Sequence, residues 1–406
     1  MKNILLVSVE TWDSVAEIPF MLKRGGCTTV DVLCPPEAWL NANRYFDKWI
    51  AVKTDPTEVQ QQLIDIASDP QSPYEKILLL DDKVIKIMTE CELTIEQFVK
   101  IMPLSKPENR EMLASKSGFS NICEKYNIAT PRYVVYQKNI PLADQVRELH
   151  FPLILKEDLS WGGGGINLCN DWSEFVDAMD HKVNVKDNLL IQEYIIGIDI
   201  GVEALYCNGQ LVTYNASEVL AYFDNKFTFT CRRKYYRDPR IESLLEELGQ
   251  KLGLFCFVSI SYIYHPGRDI YYLIEADTRT NMWMPASRFT GFDFAEGIQR
   301  ILTNWPNSIP KNTTLPDKTV EVALFYRDLR RCFKKKDWIG FLQWAVNYKG
   351  YWRFIPWYDS ILFKHMLIKI LNDAVNKIHP IQKSIIRKNL GLIPRGTVVD
   401  RAFQNT

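Results

Sequence analysis

The sequence predicts an α/β protein, and three features of the chain carry that reading. Over the first hundred residues, short β-branched and aliphatic runs alternate with helix-length stretches. A second strand–helix alternation runs from about Leu189 to Leu302. Between them, a run of glycines sits between two strand-like segments. Over the first hundred residues, strands alternating with helices imply a parallel sheet with helices on its faces.

The elements follow in order. Ile4–Val9 reads as a buried strand, and Ser14–Arg24 as a helix ended by Gly25 and Gly26. Thr29–Leu33 is a second strand, stopped by Pro35 and Pro36. Thr57–Ala67 is helical, and Lys76–Leu80 is a strand reaching Asp81 and Asp82. No GxGxxG follows the first strand, which excludes a dinucleotide fingerprint. Around Met102-Pro103-Leu104 the pattern changes. Pro107–Tyr126 reads as one long helix with Lys116 inside it. Strands at Arg132–Tyr136 and Pro152–Lys156 follow, with a helix near Leu142–Leu149 between them. Pro306, Pro310 and Pro316 mark a linker. These changes divide the chain at 1–103, 104–190, 191–305 and 306–406.

The 406 residues carry 49 basic and 49 acidic side chains, so overall charge points to no partner. No apolar run approaches the roughly 18–20 residues of a membrane span. The first strand is too short and too soon interrupted, by Glu10, Trp12 and Asp13, to be a secretory signal. Nine cysteines without a CxxC pair argue against a disulfide framework or a zinc site. A reducing cytoplasm fits that pattern.

Lys156-Glu157-Asp158-Leu159-Ser160-Trp161-Gly162-Gly163-Gly164-Gly165-Ile166 is the most informative segment. Consecutive glycines let backbone N–H groups turn toward one point, and such nests bind phosphate oxygens. A Walker loop needs Gly-Lys-Ser/Thr opening a helix, and neither that triplet nor an immediate helix is present. The loop instead joins strand-like Leu153–Lys156 to Ile166–Cys169. The next helix starts at Asp171-Trp172-Ser173-Glu174, a capping box. This is the pattern of a hairpin flap over phosphates, although a glycine-rich hairpin tip alone is equally common.

Two more segments add to it. Leu189–Gly197 is an apolar strand carrying Glu193 and ending at glycine, with Asp199 just beyond. Its backbone suits an adenine edge and Asp199 suits ribose hydroxyls, but an ordinary core strand reads the same way. Ile270–Glu275 continues into Ala276-Asp277-Thr278-Arg279. Glu275 and Asp277 are two apart, so on a strand they share a face. Two such carboxylates repel unless a cation or base lies between them. Mg²⁺ bridging phosphates suits that need. Arg279, two further on, suits a phosphate or carboxylate fork. A solvated strand end with a salt bridge is the bland alternative.

In order, these motifs are Lys116 on a helix, Ala129-Thr130-Pro131, FPLILKED running into WGGGGI, LIQEYIIGID and YYLIEADTR. The set resembles the ATP-grasp superfamily of carboxylate–amine ligases over roughly residues 105–305. The resemblance implies a Rossmann-like N-terminal domain and a two-lobed ATP-grasp core; the C-terminal extension, read as helical, lies outside it. It implies ATP and Mg²⁺ (or Mn²⁺) as cofactors, and a carboxylate and an amine as small-molecule substrates. Lys116 and Lys156 would contact phosphates, with Gly162, Gly163, Gly164 and Gly165 closing over them. Glu193 would lie in the adenine strand, with the backbone of Tyr194 and Ile195 on the base and Asp199 on the ribose. Glu275 and Asp277 would hold the metal, and Arg279 and Lys156 would serve the chemistry. In that family a phosphorylated carboxylate is attacked by an amine, releasing ADP and phosphate.

Two positions depart from the family. Asp277 stands where asparagine is usual. Ser261, in Phe257-Val258-Ser259-Ile260-Ser261, stands where a further metal-binding acid is usual. Either Asp277 keeps the carboxylate count at two, or a second metal is lost. The alternative to a ligase is therefore a degenerate nucleotide-binding module with a scaffolding or regulatory role. Arg232 and Arg233 fit either acceptor binding or a salt-bridged strand.

Residues 320–406 differ in composition, with sixteen basic residues against six acidic ones and four tryptophans. The simplest reading is a helical subdomain packed on the core, with Lys334-Lys335-Lys336 as a solvated face. An anionic membrane surface or an acidic partner are the functional alternatives. No nucleic-acid motif is present, so nucleic acid is not expected. A homodimer is compatible with the sequence.

Overall fold

The computed structural model describes residues 2–158, 165–183, 189–305, 307–310, 319–346 and 351–375. The N-terminal unit is a parallel sheet in the order β3-β2-β1-β4. Its strands are β1 (Asn3–Val7), β2 (Thr29–Cys34), β3 (Trp49–Ala51) and β4 (Lys76–Leu79). β1 is apolar on both faces because both are covered, as parallel strands require. Leu5 and Val7 pack toward α2 (Pro56–Ser68), α3 (Asp82–Thr89) and α4 (Ile95–Ile101), whereas Ile4 and Leu6 pack with α1 (Ile18–Arg24). The second face also meets residues of the next unit, including Leu205, Phe294 and Ile298, so the sheet is anchored to the core behind it. Asp55 and Asp81 cap α2 and α3, and Thr94 with Gln97 forms a full capping box on α4.

The expected long helix at 107–126 is two pieces. A 3-10 turn at Pro107–Met112 is separated from α5 (Lys116–Lys125) by Leu113, Ala114 and Ser115. Ala114 adopts a positive φ of 50°, which a continuous helix does not tolerate. Ser115 caps the new start through the Gly118 N–H. Lys116 is therefore the first residue of its helix rather than an interior one.

A four-stranded antiparallel sheet in the order β5-β8-β6-β7 forms the small lobe. It comprises β5 (Tyr133–Val135), β6 (Leu153–Glu157), β7 (Ile166–Cys169) and β8 (Leu189–Glu193). α6 (Leu142–Gln145) and α7 (Trp172–Val183) accompany it. At the start of α7, Asp171 accepts the Glu174 N–H at 3.0 Å, while the Glu174 carboxylate reaches back to Asn170 rather than Asp171. The expected box is thus displaced by one residue on its return bond.

The large lobe is a six-stranded sheet, β13-β12-β9-β10-β11-β14, with every pair antiparallel. Its strands are β9 (Ile198–Cys207), β10 (Gln210–Tyr222), β11 (Thr230–Tyr236), β12 (Cys256–His265), β13 (Ile270–Asp277) and β14 (Val320–Ala323). α8 (Pro239–Leu252) covers one face through Ile241, Leu245 and Leu248, packed with Val202, Ala204 and Ile260. α9 (Ser287–Thr290) and α10 (Phe294–Asn304) follow the last core strand. The boundary between the sheets falls at 194–197, a few residues beyond the expected division at 190.

The C-terminal extension is not wholly helical, because β14 pairs with β11 as the edge strand of the large lobe. Beyond it come α11 (Phe325–Lys335), α12 (Trp338–Val346) and α13 (Ser360–Val375). Asp328 is fully buried and accepts from Arg232 at 2.7 Å, Arg331 at 2.7 Å and Trp344 Nε1 at 2.8 Å. Tyr358 stacks on Phe20 with centroids 3.7 Å apart. The extension is thereby fastened to both the large lobe and the N-terminal unit.

Candidate active site

The site face of the large-lobe sheet can be read from its register. Antiparallel partners point their side chains to the same side. Asp277 pairs with Ser259, which pairs with Glu203, and Glu203 pairs with Asn215. One step along, Glu275 pairs with Ser261, Gly201 and Ser217 in turn. Two polar rows therefore run across a face whose opposite side is apolar core. Between Ser261 and Tyr262 the register with β13 slips, leaving Ile274 as an extra residue. Such a bulge re-aims neighbouring side chains, and this one immediately precedes Glu275.

Glu275 and Asp277 sit together on this floor, and Glu275 perturbs Asp277. Burial drives the Asp277 carboxyl well above the ordinary carboxylate range; Arg279 opposes the rise, while Glu275 and Asp82 add to it. Half-buried acids this crowded favour a cation among them. Arg279 supplies one. It forms a two-point ion pair with Asp82, at 2.6 and 2.7 Å, and a further bond to Asp277 at 3.0 Å. Asp82 is the first residue of α3, at the C-terminal edge of the parallel sheet. The N-terminal unit therefore reaches the end of β13 through this carboxylate, a contact that sequence spacing does not reveal.

Lys116 and Lys156 converge on the same place from the small-lobe side. Lys156 is buried and donates to Gln192 Oε1 at 2.7 Å. Burial lowers its pKa to about 8; the Glu275 carboxylate raises it and the Lys116 ammonium lowers it further. Lys116 donates to the Asp158 carbonyl at 3.2 Å. The Asp158 carboxylate accepts from the Ser117 N–H at 2.7 Å and from the Ser115 hydroxyl at 3.0 Å. An acid at a helix N-terminus is favourable, so Asp158 ties the end of β6 to α5 and brings the two lysines together. Gln192 and Asp158 both lie inside motifs that the sequence picked out, but nothing in the pattern distinguished them from their neighbours.

Gly162, Gly163 and Gly164 lie outside the described residues. Gly165 is described, with φ of +78°, and a Cβ there would strike the Glu157 carboxylate. Lys182 holds this corner, donating to Glu157 and to the Gly165 carbonyl at 2.9 Å each.

At the other end, several named residues are otherwise engaged. The Glu193 carboxylate accepts from the backbone and ring of His150 at 2.9 Å. Tyr194 gives its N–H to the Pro152 carbonyl at 2.9 Å, so that group is not offered to a base. The Ile195 side chain is buried. Asp199 accepts from the Tyr222 hydroxyl and pairs with Lys226 at 3.3 Å. The tip of the β10–β11 hairpin thus leans over this end, with Phe227 6.3 Å from the Tyr194 ring.

Arg232 and Arg233 are both committed to ion pairs. Arg232 serves Asp328 in the extension. Arg233 lies over Gly201, where any Cβ would meet its guanidinium, and donates to Glu203 at 2.8 Å. Asn281 joins Glu203 to Ser259 at 3.0 and 2.8 Å. Glu203, Asn281 and Ser259 extend the floor beyond the residues named from sequence. Among the described residues, no group of three or more His, Cys, Asp or Glu side chains forms a ready-made metal cage. The carboxylate pair instead suits a metal that takes its remaining ligands from a bound phosphate.

No family model matches the chain. Among curated proteins, it is similar to the carbamoyl phosphate synthase large chain of Clostridium botulinum, 22% identical over 184 residues, which are 43% of this chain and 17% of that one. It is also similar to the phosphoribosylamine–glycine ligase of Clostridium acetobutylicum, 22% identical over 114 residues, 27% of each. The chain therefore spans well under half the length of these relatives. Among solved structures, the ADP complex of an N5-carboxyaminoimidazole ribonucleotide synthetase matches with TM-score 0.60 and 14% identity, over 79% of this chain and 81% of that one. The biotin carboxylase domain of Hydrogenobacter thermophilus 2-oxoglutarate carboxylase, crystallised with MgADP and bicarbonate, matches with TM-score 0.58 and 16% identity, over 77% and 72%. The fold is that of an ATP-grasp protein, and these similarities all point to the ATP-grasp superfamily.

Proposed function

We propose that this chain is an ATP-dependent ligase that activates a carboxylate, or a similar oxygen, by phosphorylation and joins it to an amine. The observation that carries the reading is the convergence of buried Lys156 with half-buried Lys116, Glu275 and Asp277 on one polar floor between the lobes. Phosphoryl transfer asks a protein mainly for positioning and charge neutralisation. Lys156 holds a positive charge in a poorly solvated place, where it acts on a phosphate more strongly than it would in water. Glu275 and Asp277 would hold Mg²⁺, or Mn²⁺, with the ATP phosphates. The bound ion would offset charge on the transferred group. Gly162–Gly165 follow directly on the Lys156 strand, so their N–H groups are the candidates to cover the phosphates and keep water from an acyl phosphate.

Arg279 bridges the phosphate end to the C-terminal edge of the parallel sheet. Open α/β sheets bind ligands at that edge. Asp82 and Arg279 thus mark where the acceptor substrate meets the transferred phosphoryl group. The relatives include an L-amino acid ligase from Bacillus licheniformis, with TM-score 0.51 and 14% identity over 75% of this chain and 74% of that one. Amino acids are accordingly the first substrates to try. The test is a screen of amino acids and small carboxylates with ATP, scoring phosphate release and condensed mass together. Phosphate release that requires both an acceptor and an amine supports the ligase. A condensed product with no ADP formed would contradict it.

One observation favours a second reading, a nucleotide-binding module without turnover. Ser261 lies directly opposite Glu275, and a neutral hydroxyl is a poor magnesium ligand. The Ser261→Glu variant separates the two. A large gain in ATP turnover would identify a decayed site, while an unchanged or lower rate fits a working site built around Asp277.

A further inference from the structure

Among the described residues, the C-terminal extension ties its acids into internal bonds and leaves its lysines, Trp338 and Trp357 exposed. Four acids lie in residues 319–346 and 351–372. Glu321 accepts from the Tyr351 hydroxyl, and Asp328 is the buried hub described above. Asp337 accepts from Arg331 and from the Gly340 N–H, both at 2.8 Å. Asp359 accepts from the backbone of Arg44, Ile361 and Leu362. Lys334, Lys335, Lys336, Lys364 and Lys369 are all exposed.

α12 shows the same division within nine residues. Gly340 and Trp344 are buried, and Gln343, the helix's one polar side chain, turns in to Arg232. On the opposite side Trp338, Ile339, Leu342 and Val346 are 62%, 77%, 60% and 73% exposed. At about 100° per residue these four lie within one quadrant or little more of the helix surface. Phe333, at the end of α11, extends the patch, its ring 6.5 Å from that of Trp338. Soluble monomers seldom leave such contiguous apolar faces bare without a use for them. Lys334, Lys335 and Lys336 precede the helix, with Asp337 between them and Trp338.

We propose that this face of α12, with the lysines beside it, docks the protein on an anionic lipid surface. Indole and aliphatic side chains enter the boundary between headgroups and acyl chains, while ammonium groups meet lipid phosphates. No described helix is long and apolar enough to cross a membrane, so the contact is interfacial. The patch is the convex side of one helix, which a lipid surface accepts without shape complementarity.

The test uses the full chain with vesicles of phosphatidylcholine alone and of phosphatidylcholine containing about one third phosphatidylglycerol. The docking face predicts at least about tenfold tighter partition to the anionic vesicles, weakening as salt is raised. Ile339→Glu combined with Leu342→Glu lowers that partition at least about tenfold, while melting temperature and ATP affinity stay as in the parent. Lys335→Gln with Lys336→Gln weakens binding to anionic vesicles only. Equal partition of the parent to both vesicles overturns the proposal, as does a glutamate pair that binds like the parent. A dimer that the glutamate pair dissolves, without vesicle binding by the parent, assigns the face to a second copy instead and also overturns it.

Discussion

The two ends of the cleft differ in how they are built. At the end proposed for the phosphates, the residues named from sequence converge: Lys156 lies near Lys116 and Glu275, and Asp277 lies near Glu275 and Arg279. At the base end, Glu193 and Asp199 have partners of their own in His150, Tyr222 and Lys226. The end proposed for the phosphates is held by crowded, largely screened charge, which few neighbours can replace. The base end is held by backbone and by side chains that close on each other, so single substitutions there should matter less.

The largest effect tests the carboxylate pair. Glu275→Gln with Asp277→Asn should remove the Mg²⁺ enhancement of ATP binding and cost about a hundredfold in turnover, read by calorimetry with and without metal. Turnover that survives the double change would move the metal elsewhere on the floor, with Glu203 the first candidate. The next effect follows from Lys156. Burial sets its pKa at about 8, below the ordinary lysine range, so the ammonium is present at neutral pH and lost as pH rises through 8. Phosphate binds the charged form. ATP affinity should therefore be flat up to about pH 7.5 and fall by up to about tenfold per unit above 8. The Lys156→Arg variant, which stays charged, should flatten that profile.

A smaller effect isolates the seam between the sheets. Asp82→Asn weakens the two-point bond to Arg279. We expect about 2 kcal/mol of lost stability and a raised acceptor KM, with ATP affinity within about threefold of the parent. An ATP affinity that collapses would place Asp82 in the nucleotide site proper. The smallest effect is at the base end. Glu193→Gln keeps an acceptor for the His150 N–H, and both nucleotide affinity and stability should stay within about twofold and 0.5 kcal/mol. A tenfold loss would erase the contrast between the two ends.

The parts legible in the sequence are those with a short physical period. The unbroken apolar run Ile4–Val7 gives a strand covered on both faces, and Glu275 and Asp277 at a spacing of two give a shared face. What the sequence hides depends on distant partners. Ala114 breaks a run that looks helical throughout, because the chain must turn to bring Lys116 beside Asp158. Gln192, Asp82 and Glu203 are ordinary residues locally, and only the packing of separate strands makes them neighbours of the site. The pairing of β14 with β11 has no local cue either, since Val320–Ala323 is four residues in a basic, aromatic segment.

The most direct measurement is a calorimetric titration of ATP with Mg²⁺ into the parent and into Lys156→Ala, with thermal melting alongside. If the buried lysine grips the phosphates, the variant melts normally and binds ATP at least about tenfold more weakly. Equal affinity in a folded variant would contradict the placement of the nucleotide between these lobes.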